Sequence, residues 1–119
     1  MNVISKDAKP EFAEALAGLR TRFIGSLVDR IVHIEDLTSE LLRTGDYTAA
    51  LYGISASAHR IAGVAGTLGF DTLGSDARKL AEAITNGLAE CDPRETFLRT
   101  RTQLEALLDS LEAVLETAT

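Results

Sequence analysis

The chain has 119 residues, of which 45% are hydrophobic and 25% charged, and its formal net charge is −6. This length fits a single domain, and the composition excludes a disordered chain. The acidic balance argues against nucleic acid or an anionic membrane as a partner, because both need a basic face. No apolar run approaches the roughly 18 residues of a membrane span, and the chain begins without the apolar core of a secretory signal, so we expect a cytoplasmic domain.

The first part of the chain predicts a lead-in followed by one long, interrupted helix. Residues 1–9 are polar and are interpreted as a flexible lead-in, which leaves residues 10–119 as one domain. The pattern from Glu11 to about Arg43 is helical, with a break near Gly18 or Gly25. Its inner stripe consists of Leu27, Ile31, Ile34, Leu37 or Thr38, and Leu41. Gly45 then predicts a left-handed helix end.

Three further helices follow at short intervals. Asp46 predicts the N-cap of the second, which runs from about Tyr47 to Leu68, and Asp71 predicts the N-cap of the third. The sequence Asp92-Pro93-Arg94-Glu95 predicts the start of the last helix, which runs to about Glu116. Each of the three helices has an apolar seam. The seam of the second helix is Leu51, Ile54, Ala58, Ile61, Ala65 and Leu68, that of the third is Leu73, Ala77, Leu80, Ile84 and Leu88, and that of the last is Phe97, Leu104, Leu108, Leu111 and Leu115.

These elements predict an all-α fold. No segment alternates apolar and polar residues with period two, which excludes strands. Four long amphipathic helices with short connections favour an antiparallel up-down-up-down four-helix bundle. A short extra N-terminal helix would pack across one end of it.

Few residues offer chemistry. The sequence contains no P-loop and no HExxH motif, and the single cysteine, Cys91, cannot form an internal disulfide or a thiolate-rich metal site. We expect no metal site, and a metalloenzyme built in a bundle would need Glu-x-x-His pairs that are absent. Cys91 is interpreted as a packing residue. The first of the two histidines, His33, is interpreted as a solvent-facing or rim residue.

The second histidine lies on an unusual helix face. Within about 60° of His59 the helical wheel places only small residues, whereas the apolar seam lies about 130° away. Those small residues are Ser55, Ala56, Ala62, Gly63 and Gly66. Each glycine costs a helix on the order of 1 kcal/mol against alanine. Two explanations stay open: the close approach of another helix of the bundle, or room for a partner's active site to reach the imidazole.

The segment Ala58-His59-Arg60-Ile61-Ala62-Gly63-Val64-Ala65-Gly66-Thr67-Leu68-Gly69 resembles the histidine-containing phosphotransfer (HPt) family. The family pattern has an alanine or similar residue, the phospho-accepting histidine, a branched apolar residue two later and a glycine four later. Small residues and an apolar-glycine pair follow, and a downstream helix carries leucines, here Leu73 and Leu80.

The resemblance implies a phosphorelay phosphocarrier with a four-helix bundle fold. His59 would accept a phosphoryl group on Nε2 from a receiver aspartate or a kinase and pass it to a receiver aspartate. The protein would be a monomer that hydrolyses no ATP and has no cofactor of its own, with Mg²⁺ expected on the partner receiver domain. Its partners would be response-regulator receiver domains or a hybrid histidine kinase.

The chain departs from the family at one position. Many members carry a lysine three residues after the histidine, where this chain has Ala62. Arg60, Arg78 and Lys79 are candidate cations for the phosphoryl group, although each is equally consistent with a solvated helix face. The alternative function is a helical adaptor in which His59 is incidental.

Overall fold

The computed structural model describes residues 9–118, and five helices account for almost all of them. They are α1 (Lys9–Gly25), α2 (Leu27–Thr44), α3 (Tyr47–Thr67), α4 (Asp71–Glu90) and α5 (Pro93–Ala118). The break in the first helical pattern falls after Gly25, and Gly18 lies inside α1. The predicted lead-in lies outside the described residues, except for Lys9, which begins α1.

Helices α2 to α5 form the bundle. Each packs against the next along the chain, and α5 closes the arrangement by packing against α2. The connections are residues 45–46, 68–70 and 91–92, so consecutive helices must run antiparallel. The predicted up-down-up-down bundle is therefore confirmed. Among residues 9–118 no helix combines the length and apolar character that crossing a bilayer requires.

The turn between α2 and α3 is built as the sequence predicts. Gly45 has a φ of 75°, and its N–H donates to the carbonyl of Leu41. A left-handed residue at this position is easiest for glycine, which has no Cβ. The carboxylate of Asp46 accepts from the N–H of Ala49, which caps the start of α3.

The N-termini of α4 and α5 are capped in different ways. The Asp92 carboxylate accepts from the N–H of Glu95 at 2.8 Å, which confirms the predicted cap of α5. The predicted N-cap at Asp71 is wrong. Phe70 occupies the cap position without a side-chain bond, and Asp71 is the first helical residue, where a negative charge still complements the helix dipole.

The core is the set of seams that the sequence predicts. Five of the six seam residues predicted for this helix lie in α3 and are at most 1% exposed, and the sixth, Leu68, directly follows α3 and is 4% exposed. Leu73, Ala77, Leu80 and Ile84 of α4 are buried with Phe97, Leu104 and Leu111 of α5. Leu88, Leu108 and Leu115 are half-buried, and Leu107 is a fully buried residue that the seam prediction omitted.

Helix α1 is the extra N-terminal helix, and at 17 residues it is longer than predicted. Its last turns pack where α3 ends and α4 begins. The Nε of Arg20 donates to the carbonyl of Leu68 at 2.8 Å, and the buried Phe23 ring lies 5.6 Å from the Phe70 ring. The extra helix is therefore confirmed, and its last turns pack at one end of the bundle, while most of its earlier residues are exposed.

Candidate functional site

His59 lies about two turns before the end of α3, and its side chain is exposed. Its neighbours Ala58 and Ile61 are fully buried, because they point to the core on the opposite side of the helix. The core therefore fixes the rotation of α3 and turns the imidazole to the outside of the bundle. A nucleophilic nitrogen at this position is accessible to a second molecule.

The small residues beside His59 leave open space. Gly63 and Gly66 are exposed, and among residues 9–118 a Cβ added to either would meet no atom within 4 Å beyond the nearby backbone of α3 itself. The close contact between α3 and α4 is made by Gly74 instead: a Cβ there would lie 3.3 Å from the Gly66 nitrogen and 3.6 Å from the Ala62 carbonyl oxygen. Packing among the described residues therefore favours glycine at position 74 and gives no reason for glycine at 63 or 66.

On one side His59 lines a groove between α3 and α4 of about 460 Å³, here called the His59 groove. Its lining residues are Tyr52, Ser55, Ala56, His59, Ala81, Glu82, Thr85 and Asn86. Glu82 is the acidic residue among them. Arg78 and Lys79 are exposed on α4 but do not line it, so the structure does not bring these two predicted cations to the groove.

On the other side of the exposed face lies a cleft of about 450 Å³ between α1, α2 and α3, here called the arginine cleft. Its lining residues are Leu19, Arg22, Phe23, Ser26, Arg30, Gly63, Val64, Thr67 and Leu68. None of these residues is acidic. This cleft is not predictable from helical spacing, because it joins residues from three helices; the basic residues near the break between α1 and α2 are the signal that the sequence offers.

Arg60 is exposed on α3. The partial burial of Arg30 lowers the pKa of its own guanidinium, and the positive charge of Arg60 lowers that pKa further. Arg30 donates from Nε to the Ser26 hydroxyl at 2.9 Å, and its guanidinium lies 5.3 Å from the centre of the Phe23 ring. Neither arginine pairs with a carboxylate of the described residues.

His33 and Cys91, the two other residues with possible chemistry, lie away from both the His59 groove and the arginine cleft. His33 is exposed on α2 and lines neither surface. The half-buried Cys91 thiol contacts the Gly87 carbonyl oxygen at 3.3 Å, next to the turn between α4 and α5. Within residues 9–118, no group of three or more histidine, cysteine, aspartate or glutamate side chains is arranged to hold a metal ion.

Comparison with known proteins gives one match. A family model described as the Hpt domain matches residues 18–116, which include the end of α1 and nearly all of the bundle. No curated protein and no solved structure shows significant similarity to the chain. The matched range contains the whole exposed face of α3 together with both surfaces that flank it.

Proposed function

The chain belongs to the Hpt domain family, whose members take part in histidine phosphotransfer, and we propose that it is a phosphorelay phosphocarrier of a two-component system with His59 as the phosphoryl acceptor. The observation that carries this proposal is the exposed imidazole of His59 on a face cleared by Gly63 and Gly66. Hpt domains generally interact with receiver domains and histidine kinases. A receiver's phosphoaspartate would need this kind of open approach.

The phosphoryl transfer needs no general base from this chain. Neutral imidazole is a nucleophile, and with its proton on Nδ1 the Nε2 lone pair of His59 attacks the phosphorus of the receiver's acyl phosphate. The Nε2–P bond forms, the bond from phosphorus to the aspartate oxygen breaks, and the aspartate carboxylate leaves. A receiver domain would supply the Mg²⁺ that neutralises the charge of the transferring group. This chain contributes position and access.

The supporting residues have separate proposed roles. Ala62, Gly63 and Gly66 keep the approach to the imidazole free of side chains. Arg60 supplies positive charge at the site. Arg78 and Lys79, which lie outside the His59 groove, stay predictions as contacts to a partner, as do the monomeric state and the cytoplasmic location.

The test uses receiver domains phosphorylated on aspartate with acetyl [³²P]phosphate and freed of the small donor. We expect the wild-type chain to take up label that is labile in acid and stable in alkali, as a phosphoramidate bond is. His59→Gln should take up none and keep its helical circular dichroism spectrum, since an exposed side chain contributes little to packing.

The matched control is His33→Gln, which removes the other exposed imidazole of the chain and should label as the wild type does. Label that persists in His59→Gln would refute the assignment of the site. A wild-type chain that binds receivers and takes up no label from any of them would support the adaptor function instead.

A further inference from the structure

We propose that the chain has a docking site remote from His59, in the groove between α2 and α5, and that its occupant is a basic amphipathic helix of another protein. The groove, here called the α2–α5 groove, has a volume of about 570 Å³. Phe97 and Leu104 of α5 line it and are buried, so they form its floor, and Leu42 of α2 lies exposed at its rim.

The α2–α5 groove lies on the side of the bundle opposite to His59. Helix α3 packs against α2 and α4, and α5 packs against the same two helices, so the four helices form a ring in chain order. The His59 groove lies on the α3–α4 side of this ring, and the α2–α5 side faces away from it. A partner in the α2–α5 groove therefore leaves the imidazole free for phosphoryl transfer.

Helix α2 carries a second stripe of residues at helical spacing, besides the buried seam that faces the core. This stripe consists of Val28, Val32, Glu35, Ser39 and Leu42, which follow one another at spacings of 4, 3, 4 and 3 residues. The last three line the α2–α5 groove, and the three apolar members are 52%, 46% and 63% exposed, in chain order. Because helices pack on one another at this spacing, another helix fits the stripe, which at about 21 Å suits a partner of about 15 residues.

The charge of the α2–α5 groove selects a basic partner. Glu35, Asp36 and Glu105 line it, whereas its one basic lining residue in the described chain is Arg101. The Arg101 guanidinium lies 5.7 Å from the centre of the Phe97 ring and does not pair with Glu105, one turn later. Among residues 9–118 none of the three carboxylates is within ion-pair distance of a basic group. Lysine or arginine beside the apolar face of a partner helix would supply the missing positive charge.

Two other occupants suit the groove less well. A second copy of this chain, related by two-fold symmetry, would bring the same carboxylates to both sides of the contact, where they repel each other. An anionic membrane surface would meet the same negative charge. A basic amphipathic helix covers the exposed apolar stripe and also neutralises the carboxylates, so it satisfies both features of the groove.

The test titrates the whole chain into a fluorescein-labelled peptide of about 15 residues, with leucine at spacings of three and four and lysine elsewhere, and follows fluorescence anisotropy. The peptide should bind, and one with glutamate in place of lysine should bind about tenfold more weakly or less. Leu42→Ser should raise the dissociation constant about tenfold, because it removes apolar area that the peptide covers. Glu35→Gln and Glu105→Gln should each raise it roughly threefold, and less at high salt.

The matched controls remove similar side chains on other sides of the bundle. Glu90→Gln removes an exposed carboxylate of α4, and Leu19→Ser removes a leucine of α1 that is 46% exposed. Both should leave the dissociation constant of the lysine peptide within about twofold. All of the variants change exposed side chains, so their helical circular dichroism spectra should match that of the wild type.

Peptide binding and phosphoryl transfer are measured separately. His59→Gln should bind the lysine peptide as the wild type does, and a wild-type chain saturated with peptide should still take up label from a phosphorylated receiver. A wild-type chain that takes up no label yet binds the peptide would refute the phosphocarrier function alone.

Three results would overturn the docking site. The first is a wild-type chain that does not bind the lysine peptide, and the second is unchanged affinity in both Leu42→Ser and Glu105→Gln. The third is a dimer in sedimentation that Leu42→Ser dissociates, which would make a second copy of the chain the occupant.

Discussion

Substitutions at Gly63 and Gly66 of α3 should change the stability of the folded chain and the rate of phosphoryl transfer in opposite directions. Gly63→Ala and Gly66→Ala each place a Cβ where the described part of the chain has no atom within 4 Å beyond the nearby backbone of α3. Alanine is favoured over glycine inside a helix by about 1 kcal/mol, so each change should stabilise the folded chain by roughly that amount. For a domain of this size that corresponds to a rise in Tm of roughly 4 °C per substitution.

Gly74→Ala is the matched comparison on the neighbouring helix. Its Cβ would lie 3.3 Å from the backbone nitrogen of Gly66, and backbone cannot move aside as a flexible side chain can. Overpacking of this kind costs about 1–3 kcal/mol, which cancels or exceeds the helix-propensity gain. We therefore expect Gly74→Ala to leave the free energy of unfolding unchanged or to lower it.

Transfer should respond in the opposite sense. Alanine at 63 or 66 narrows the approach to His59, and Gly63→Leu or Gly66→Leu should block it sterically while the fold persists. The assays are urea unfolding followed by circular dichroism, and single-turnover transfer from a phosphorylated receiver. A loss of stability in Gly66→Ala, or wild-type transfer by Gly63→Leu, would refute the argument that these glycines serve the partner and not the packing.

The remaining predictions concern one added cation, one carboxylate and one tight contact. Ala62→Lys adds a positive charge within about 60° of the His59 imidazole on the helical wheel. It should raise the rate of phosphoryl transfer at saturating receiver and leave the affinity for the receiver unchanged. An unchanged rate would show that the positive charge that stabilises the phosphoryl group comes from the receiver. Glu82→Gln removes negative charge from the His59 groove and should raise the rate of acceptance severalfold at low salt, whereas equal rates would mean that the carboxylate faces away. Gly87→Ala would put a Cβ 2.6 Å from the Thr96 methyl group and should destabilise the chain by roughly 1–3 kcal/mol in urea unfolding, and adding Thr96→Ser should recover part of the loss.

The sequence was sufficient for the elements of this fold because their causes are local. Helical spacing predicted the seams, and Gly45 and Asp92 predicted a helix end and a helix start through their own backbone and side-chain bonds. The exposure of His59 was predictable for the same reason, since a residue far from the seam on the helical wheel must face away from the core. At the start of α4 the sequence pattern placed the N-cap at Asp71, one residue too late, because Phe70 occupies that position.

Tertiary structure alone decided what surrounds His59. Helical periodicity tells which face a residue occupies and carries no information on how closely the next helix approaches that face. It could not show that Gly74 makes the close contact while Gly63 and Gly66 stay open. Nor could it join residues of three helices into one cleft, because such contacts depend on the relative rotation and distance of helices that the whole core sets together.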